Sequence, residues 1–330
     1  MCYLPFLSIV IPAYNAEHYI ERCLMSISQG FVSQKLYKDE IEVIIIDDCS
    51  QDNTYSIANI IAAKTDVYKI RVIKHPQNMK QGAARNTGLR AAKGEYVWFV
   101  DVDDFINSEI LSYCDSELLS CNPDVFQFHA KTLRIDGSEI IEPYITDIIG
   151  PINGVAFLEF EAKHKYTNRI RASWSKWYRR NYLIDNELYY QEGIFWEDVV
   201  HTLKSIYIAK SIIFAPIIAY NYVLTPNSDM RGVQNGRKLA DTIRFCADSC
   251  KFLNEQEASS LIIESLSPYY NKVLRKYRLK LKTLDRNGIE DFCAILQSID
   301  LQQIPICLKT DEHNWLMNHW AIISNWETEI

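Results

Sequence analysis

Residues 94–104 read GEYVWFVDVDD, so five apolar or aromatic residues, Tyr96 to Val100, run straight into Asp101, Asp103 and Asp104. An unbroken apolar run marks a strand buried on both faces, as in a parallel sheet flanked by helices. Carboxylates at the end of such a strand fall on the sheet's rim, where open α/β folds bind ligands. Acids this close repel one another unless a cation or hydrogen-bond donors compensate them. A hard divalent ion carrying phosphate oxygens does so with only one or two protein carboxylates. The alternative is an acidic turn capping a helix that begins near Asn107.

The upstream pattern places this strand in a sheet. Phe6 to Ile11, Ile41 to Ile46 and Lys69 to Lys74 predict further strands. Helical spacing appears over 16–29 (Tyr19, Ile20, Cys23, Leu24, Ile27), after Ser50 or Asp52 as N-cap, and over 80–92, with 30–40 a polar connection. Strand–helix alternation with short links implies an α/β fold with a mostly parallel sheet covered on both faces. Pro12 to Asn15, Asp47 to Asp52 and Asp101 to Asp104 each follow a strand, so all three polar clusters should meet on one edge. One acidic turn is ordinary; three polar rims on one edge describe a site.

The totals narrow the function classes. The chain has 330 residues, 48% of them hydrophobic, enough for one large domain or a domain with an appendage. A net charge of −7 without a basic tail argues against nucleic acid as a partner. Nine scattered cysteines without a C-x-x-C pair read as reduced cytosolic thiols, not as a disulfide framework or zinc site. Met1 to Pro5 has no basic n-region, and the apolar run from Ser211 to Leu224 is short and contains Pro216 and Asn221. A soluble, cytoplasmic protein is expected.

The rim residues suit a nucleotide. At Asp47 or Asp48 an ionised carboxylate only accepts hydrogen bonds, which matches a uracil N–H or a ribose hydroxyl; helix capping is the alternative, and it accounts for Asp52. Tyr14 offers a ring for a base to stack on, or packs under its own turn. In NMKQGAARNTG, residues 78–88, Gly82 and two alanines let a helix N-terminus approach a backbone or a ligand closely. Arg85, one turn in with Asn86 beside it, can pair with a diphosphate through its planar fork. No G-x-G-x-x-G follows the first strand and no G-x-x-x-x-G-K-[ST] occurs, which disfavours nicotinamide, flavin and P-loop enzymes.

Taken together, SIVIPAYN (8–15), IIDDCSQDNT (45–54), GAARNTG (82–88) and GEYVWFVDVDD (94–104) resemble the successive motifs of family 2 glycosyltransferases. The resemblance implies the GT-A fold, a Rossmann-like sheet with helices on both faces, and inverting transfer from a nucleotide-diphosphate sugar. UDP is the implied nucleotide, because an Asp reading uracil is the common family arrangement. Tyr14 and Asp48 match the family's nucleobase contacts, with Pro12, Asn15 and Asp47 beside them. Arg85 matches a position near the diphosphate, with Gly82 on the same helix. Asp101 and Asp103 match the D-x-D around Val102, with Asp103 as ligand of Mn²⁺ or Mg²⁺. Cys49 stands where the family often has Gly.

The resemblance extends in part to the acceptor half. GIFWEDVVH (193–201) fits the family's Glu-Asp pair at a helix start, with Asp198 as general base. Trp196 is then a platform for a sugar ring, or is buried against the sheet. Glu197 favours the helix N-terminus. His201, on the same helical face as Asp198, orients it, approaches the metal, or is structural. ASWSKWYRR (172–180) resembles the family's W-x-K-x-Y-R-R segment, making Lys176 and Arg179 candidates for phosphate or acceptor contacts, with a solvated basic turn as the alternative. YNYVLTPNS (220–228) resembles the stretch ending the catalytic domain, with Ser228 and Arg231 as diphosphate candidates.

The expected division is a catalytic domain over 1–230, with a nucleotide-sugar half to 104 and an acceptor half from 105, then an α-helical C-terminal region over 231–330. In 270–284, Val273, Tyr277, Leu281 and Leu284 share a face among Lys272, Arg275, Lys276, Arg278, Lys280 and Lys282. Such a helix can lie on an anionic membrane near a lipid-linked acceptor, or pack on the catalytic domain. The rivals are a non-catalytic nucleotide-sugar-binding or scaffold protein and a sugar-phosphate nucleotidyltransferase. The second needs a Gly-rich basic loop after the first strand, where this chain has Pro12 to Asn15.

Overall fold

The site-bearing edge is made by four parallel strands: β1 (Leu7–Ala13), β2 (Ile41–Asp47), β3 (Lys69–Lys74) and β4 (Tyr96–Phe99), ordered β3-β2-β1-β4. They are linked by α1 (Ile20–Gln34), α2 (Thr54–Lys64) and α3 (Lys80–Ala91). The structure, a computed structural model, describes residues 4–299 except 35–39, 116, 135, 142–145, 165–171, 226–234 and 282. Alternate residues of each central strand enter separate cores. Val10, Ile44, Val97 and Phe99 face one cluster, and Ile9, Val43, Tyr96 and Trp98 the other. That two-sided burial is the physical content of the unbroken apolar runs.

Some boundaries differ from expectation for local reasons. Pro12 continues β1, pairing with Ile46, because the β4 ladder has already ended at Val10↔Phe99. Helix α1 runs on to Gln34, into the span read as a polar connection. The N-cap of α2 is Asn53, not Ser50 or Asp52, yet Asp52 Oδ1 accepts the Thr54 N–H at 2.9 Å from one residue outside. Near Asn107 a 3₁₀ helix, Ser108–Asp115, stands in place of an α-helix.

The second half adds β5 (Phe105–Ile106), β6 (Val125–Leu133), β7 (Glu139–Ile141), β8 (Ile149–Ile152) and α4 (Gly154–His164). Then follow β9 (Lys176–Arg179), α5 (Arg180–Asp185), α6 (Glu197–Tyr207) and β10 (Ile212–Val223). Here the sheet becomes mixed: β9 runs antiparallel to both β4 and β6, while β6 and β10 are parallel. Helices α7 (Gly236–Glu255), α8 (Ser260–Leu281) and α9 (Arg286–Leu296) complete the described chain.

These three helices share a core with the sheet. Leu239, Ile243, Tyr270 and Phe292 belong to the same cluster as Phe99 and Leu203. On α8, Tyr270 and Leu274 are buried and Val273 packs against that cluster, as does Leu284 beyond the helix. The apolar face read as a membrane surface is therefore turned inward along these residues, and Lys272 and Arg275 point outward. The side chains of Tyr277 and Leu281 lie outside the described residues. Among the described residues no helix is long and apolar enough to cross a membrane, and the seven described cysteines form no disulfide with one another.

Candidate active site

The carboxyl ends of β1, β2 and β4 bring the three polar clusters together. Asn15, in the left-handed region at φ 48°, accepts the Gln51 N–H at 2.9 Å and donates its own N–H to Ser50 Oγ at 3.0 Å. Tyr14 next to it is 48% exposed, so its ring is not packed under the turn. Asp48 is buried; its Oδ1 lies 2.7 Å from His75 Nδ1 and accepts the Met79 N–H at 2.9 Å, while Oδ2 accepts the Lys80 N–H at 2.8 Å. It thus orders the turn before α3 and keeps acceptor capacity only on Oδ2. Asp47 is also buried, and its Oδ1 has no hydrogen-bond partner among the described residues.

The acidic rim after β4 divides into three tasks. Asp101 Oδ1 accepts from Gln81 Nε2 at 3.0 Å and Arg85 Nη2 at 2.8 Å. Asp104 is buried and accepts the Tyr220 hydroxyl at 2.8 Å and the Val223 N–H at 2.7 Å, tying β10 to the rim. Among the described residues Asp103 takes one side-chain donor, the Thr225 hydroxyl at 3.1 Å, and its main-chain oxygen accepts from Arg22. Burial first, and the charge of Asp101 second, push Asp103 up to about 6. A crowded, under-donated carboxylate of this kind fits a hard cation. Among the described residues no group of three or more His, Cys, Asp or Glu forms a cage. A cation here would draw its remaining ligands from phosphate and water.

Helix α3 reaches the other half of the site. A Cβ on Gly82 would lie 2.5 Å from the Gln191 carbonyl oxygen and 3.0 Å from Glu197 Cγ. The close approach expected of Gly82 is thus to a backbone, not to a ligand. Asn86 accepts the Tyr190 N–H at 2.8 Å and donates to the Tyr190 carbonyl and to Glu192, each at 2.9 Å. Arg85 is buried, hydrogen-bonded to Asp101 and to Glu197, and lies over the Tyr190 ring at 5.2 Å. The sequence reading placed Arg85 at a diphosphate and Glu197 as a helix-end charge; the structure pairs them.

Asp198 opens α6 beside that pair, and no other described side chain hydrogen-bonds its carboxylate. Burial and the neighbouring charge of Glu197 raise it to about 7, opposed by Arg85. His201 neither orients Asp198 nor approaches the rim. It is buried, stacks on Tyr190 at 3.7 Å, and its Nε2–H donates to the Leu188 carbonyl at 3.2 Å; burial pushes it down to about 3, so it is neutral. Trp196 adopts φ 65° ahead of α6, and its indole N–H reaches the Lys238 carbonyl at 3.4 Å. Its ring is half-buried and packs against the core cluster that the sheet shares with α7.

Lys176 is also corrected. It is wholly buried in β9, donating to the Ala172 carbonyl at 2.9 Å and to Ser175 Oγ at 3.0 Å. Burial lowers it to about 7 and raises the facing Glu161 on α4 to about 8, each group's charge supporting the other's. A solvated basic turn and a phosphate ligand are both excluded by that burial. Arg179 pairs with Asp124. Ser228 and Arg231 lie outside the described residues.

Residues 8–133, which carry the nucleotide-side rim, match the Glycosyl transferase family 2 model. The chain belongs to this family. The uncharacterized glycosyltransferase EpsJ of Bacillus subtilis (strain 168) is 30% identical over 230 residues, 68% of this chain and 63% of EpsJ. The poly(ribitol-phosphate) beta-N-acetylglucosaminyltransferase TarS of Staphylococcus aureus (strain MW2) is 30% identical over 216 residues, 65% of this chain and 35% of TarS. The chain thus spans less than two thirds of the length of these curated relatives. In fold, this family 2 chain is similar to the crystal structure of S. aureus TarS 1-349 in complex with UDP-GlcNAc. The TM-score is 0.68 at 23% identity, covering 91% of this chain and 83% of that one. The architecture is GT-A with helical C-terminal elements.

Proposed function

We propose that the chain transfers a sugar from a nucleotide-diphosphate donor, a UDP-sugar, to a hydroxyl of a glycan or lipid-linked acceptor, with inversion at the anomeric carbon. The observation that carries this is Asp198. Among the described residues its carboxylate takes no side-chain donor; it is raised to about 7 by burial and Glu197, and feels the charges of Arg85 and Asp101 at the rim. A base with a pKa near the working pH is best placed to take a proton. The acceptor oxygen bonds to the anomeric carbon as the bond to the diphosphate oxygen breaks on the opposite face. The hydroxyl proton passes to Asp198.

The remaining assignments follow the rim. Tyr14 supplies the exposed ring for the base, and Asp47 and Asp48 with Pro12 and Asn15 form the edge that reads uracil and ribose. Asp103 would hold Mn²⁺ or Mg²⁺, with Asp101 and Val102 beside it, and a bound cation there neutralises charge on the leaving diphosphate. TarS, whose structures contain UDP-GlcNAc and UDP, supports a uridine donor. Exposed Lys272 and Arg275 support peripheral contact with an anionic membrane.

The test is calorimetric titration with UDP, GDP and dTDP, each with and without Mn²⁺, on the wild type and Asp103→Ala. UDP binding that needs Mn²⁺ and is lost in the variant is the expected result; no nucleotide binding at all would end the enzyme reading. Release of sugar from a UDP-sugar then separates an enzyme from a non-catalytic binding protein, which binds UDP and turns nothing over.

A further inference from the structure

We infer that Arg85 and Glu197 are positioning residues, a buried clamp that fixes the base-bearing start of α6 against the Asp101 rim, and that Arg85 is not a diphosphate ligand. This rests on the function proposed above.

Four contacts on α3 converge on one segment of the acceptor half. Gly82 lies against the Gln191 backbone, Asn86 holds both polar main-chain groups of Tyr190, and Arg85 both covers the Tyr190 ring and bonds Glu197. Its second amino group bonds Asp101. Arg85 is 2% exposed and Glu197 5%, and both guanidinium Nη atoms are already used by carboxylates. Arg85 keeps unspent N–H groups, the Nε–H among them, but they are buried, so a diphosphate would have to open the packing around Tyr190 and Glu197 and enter beside two carboxylates that repel it, a strongly unfavourable exchange. The planar fork of arginine suits such a bridge, which a lysine point charge cannot reproduce.

The clamp also sets the electrostatics of Asp198. The charged groups around that base are Glu197 on its own helix, Arg85 from α3, Asp101 after β4 and Lys176 from β9, with the phenols of Tyr178 and Tyr190 nearby. Glu197 pushes Asp198 up and Arg85 pulls it down. Because the two are bonded, changing either alters both the position and the charge state of the base.

Arg85→Lys and Glu197→Gln test this, with UDP affinity in Mn²⁺, kcat and its pH profile as readouts. The expected result is UDP affinity within about threefold of wild type and kcat lower by about tenfold or more, the signature of misplaced groups and not of lost ground-state binding. In Glu197→Gln the pH midpoint of kcat should also move down, since a charge that raised Asp198 is gone. A merely structural role would not move it. If UDP affinity in Arg85→Lys falls in step with kcat, Arg85 is a diphosphate ligand and the inference is overturned. Should Arg85→Lys fail to fold, Glu197→Gln decides alone, because it keeps the arginine; an unchanged kcat and midpoint overturns the clamp. Wild-type protein that binds no UDP removes the functional reading and this inference with it, whereas active wild type with these contrary variant results removes only the clamp.

Discussion

Tyr220 donates its hydroxyl to Asp104 over 2.8 Å, joining the last strand of the sheet to an acidic rim 116 residues upstream. The same oxygen accepts the Asp101 N–H at 3.0 Å, and Trp174 lies flat against the ring at 4.6 Å. Tyr220→Phe keeps the stacking and removes both hydrogen bonds, leaving a buried carboxylate short of a donor. Stability should fall by about 1–3 kcal/mol in urea unfolding, and Mn²⁺-dependent UDP binding should weaken because the backbone at Asp101 loses its acceptor. A variant as stable as wild type would mean that Val223 alone satisfies Asp104.

The activity should rise with pH through about 7. Burial and Glu197 raise Asp198 to about that value; below it the carboxyl is protonated and cannot accept the acceptor's proton, and above it the base is fully formed. The measurement is kcat against pH under saturating donor. Asp198→Asn should lower kcat by about 10²–10⁴-fold and leave UDP affinity unchanged. A flat profile from pH 5.5 to 8.5 would assign the base elsewhere.

Gly82→Ala should report on the contact between the two halves. The added methyl meets the Gln191 carbonyl at 2.5 Å, a backbone atom that cannot swing aside as a side-chain tip can. A loss of about 1–3 kcal/mol is expected from such overpacking, together with a lower kcat, because the displaced segment leads into Asp198. Thermal melting and turnover, measured on one preparation, check both.

What was legible in the sequence was local. The four parallel strands and their polar ends could be read because an apolar run and the acids following it are neighbours in the chain, and Asp101 to Asp104 and Asp198 stand at the expected element ends. What was missed depends on partners far away in sequence. Arg85 and Glu197 are 112 residues apart and Asp48 and His75 are 27 apart, so no spacing rule links them. Lys176 was misread for a related reason. Its neighbours Trp177 and Tyr178 signal a buried strand, but a lysine enters such a strand only if a carboxylate awaits it. Glu161, on the helical segment AFLEFEAK, carries no local sign of being that partner.

The buried Lys176 and Glu161 predict that a double substitution costs much less than either single one. Lys176→Met removes the charge that favours ionised Glu161, and Glu161→Leu removes the one that favours the ammonium; burial lets the group left behind go neutral, so each should cost about 1–3 kcal/mol. The double variant removes both desolvated charges and fills the space with apolar side chains, so most of the loss should return, since hydrophobic replacement of a whole buried pair is often neutral or better. Urea unfolding of the three variants gives the comparison, and a double variant no more stable than either single one would show that Lys176 serves something other than Glu161. Activity adds a second axis. Lys176 also feels the charge of Asp198, so losing the ammonium should raise the pH midpoint of kcat even where stability is restored, while UDP affinity stays unchanged because the two groups belong to β9 and α4 and not to the strands that carry the nucleotide edge.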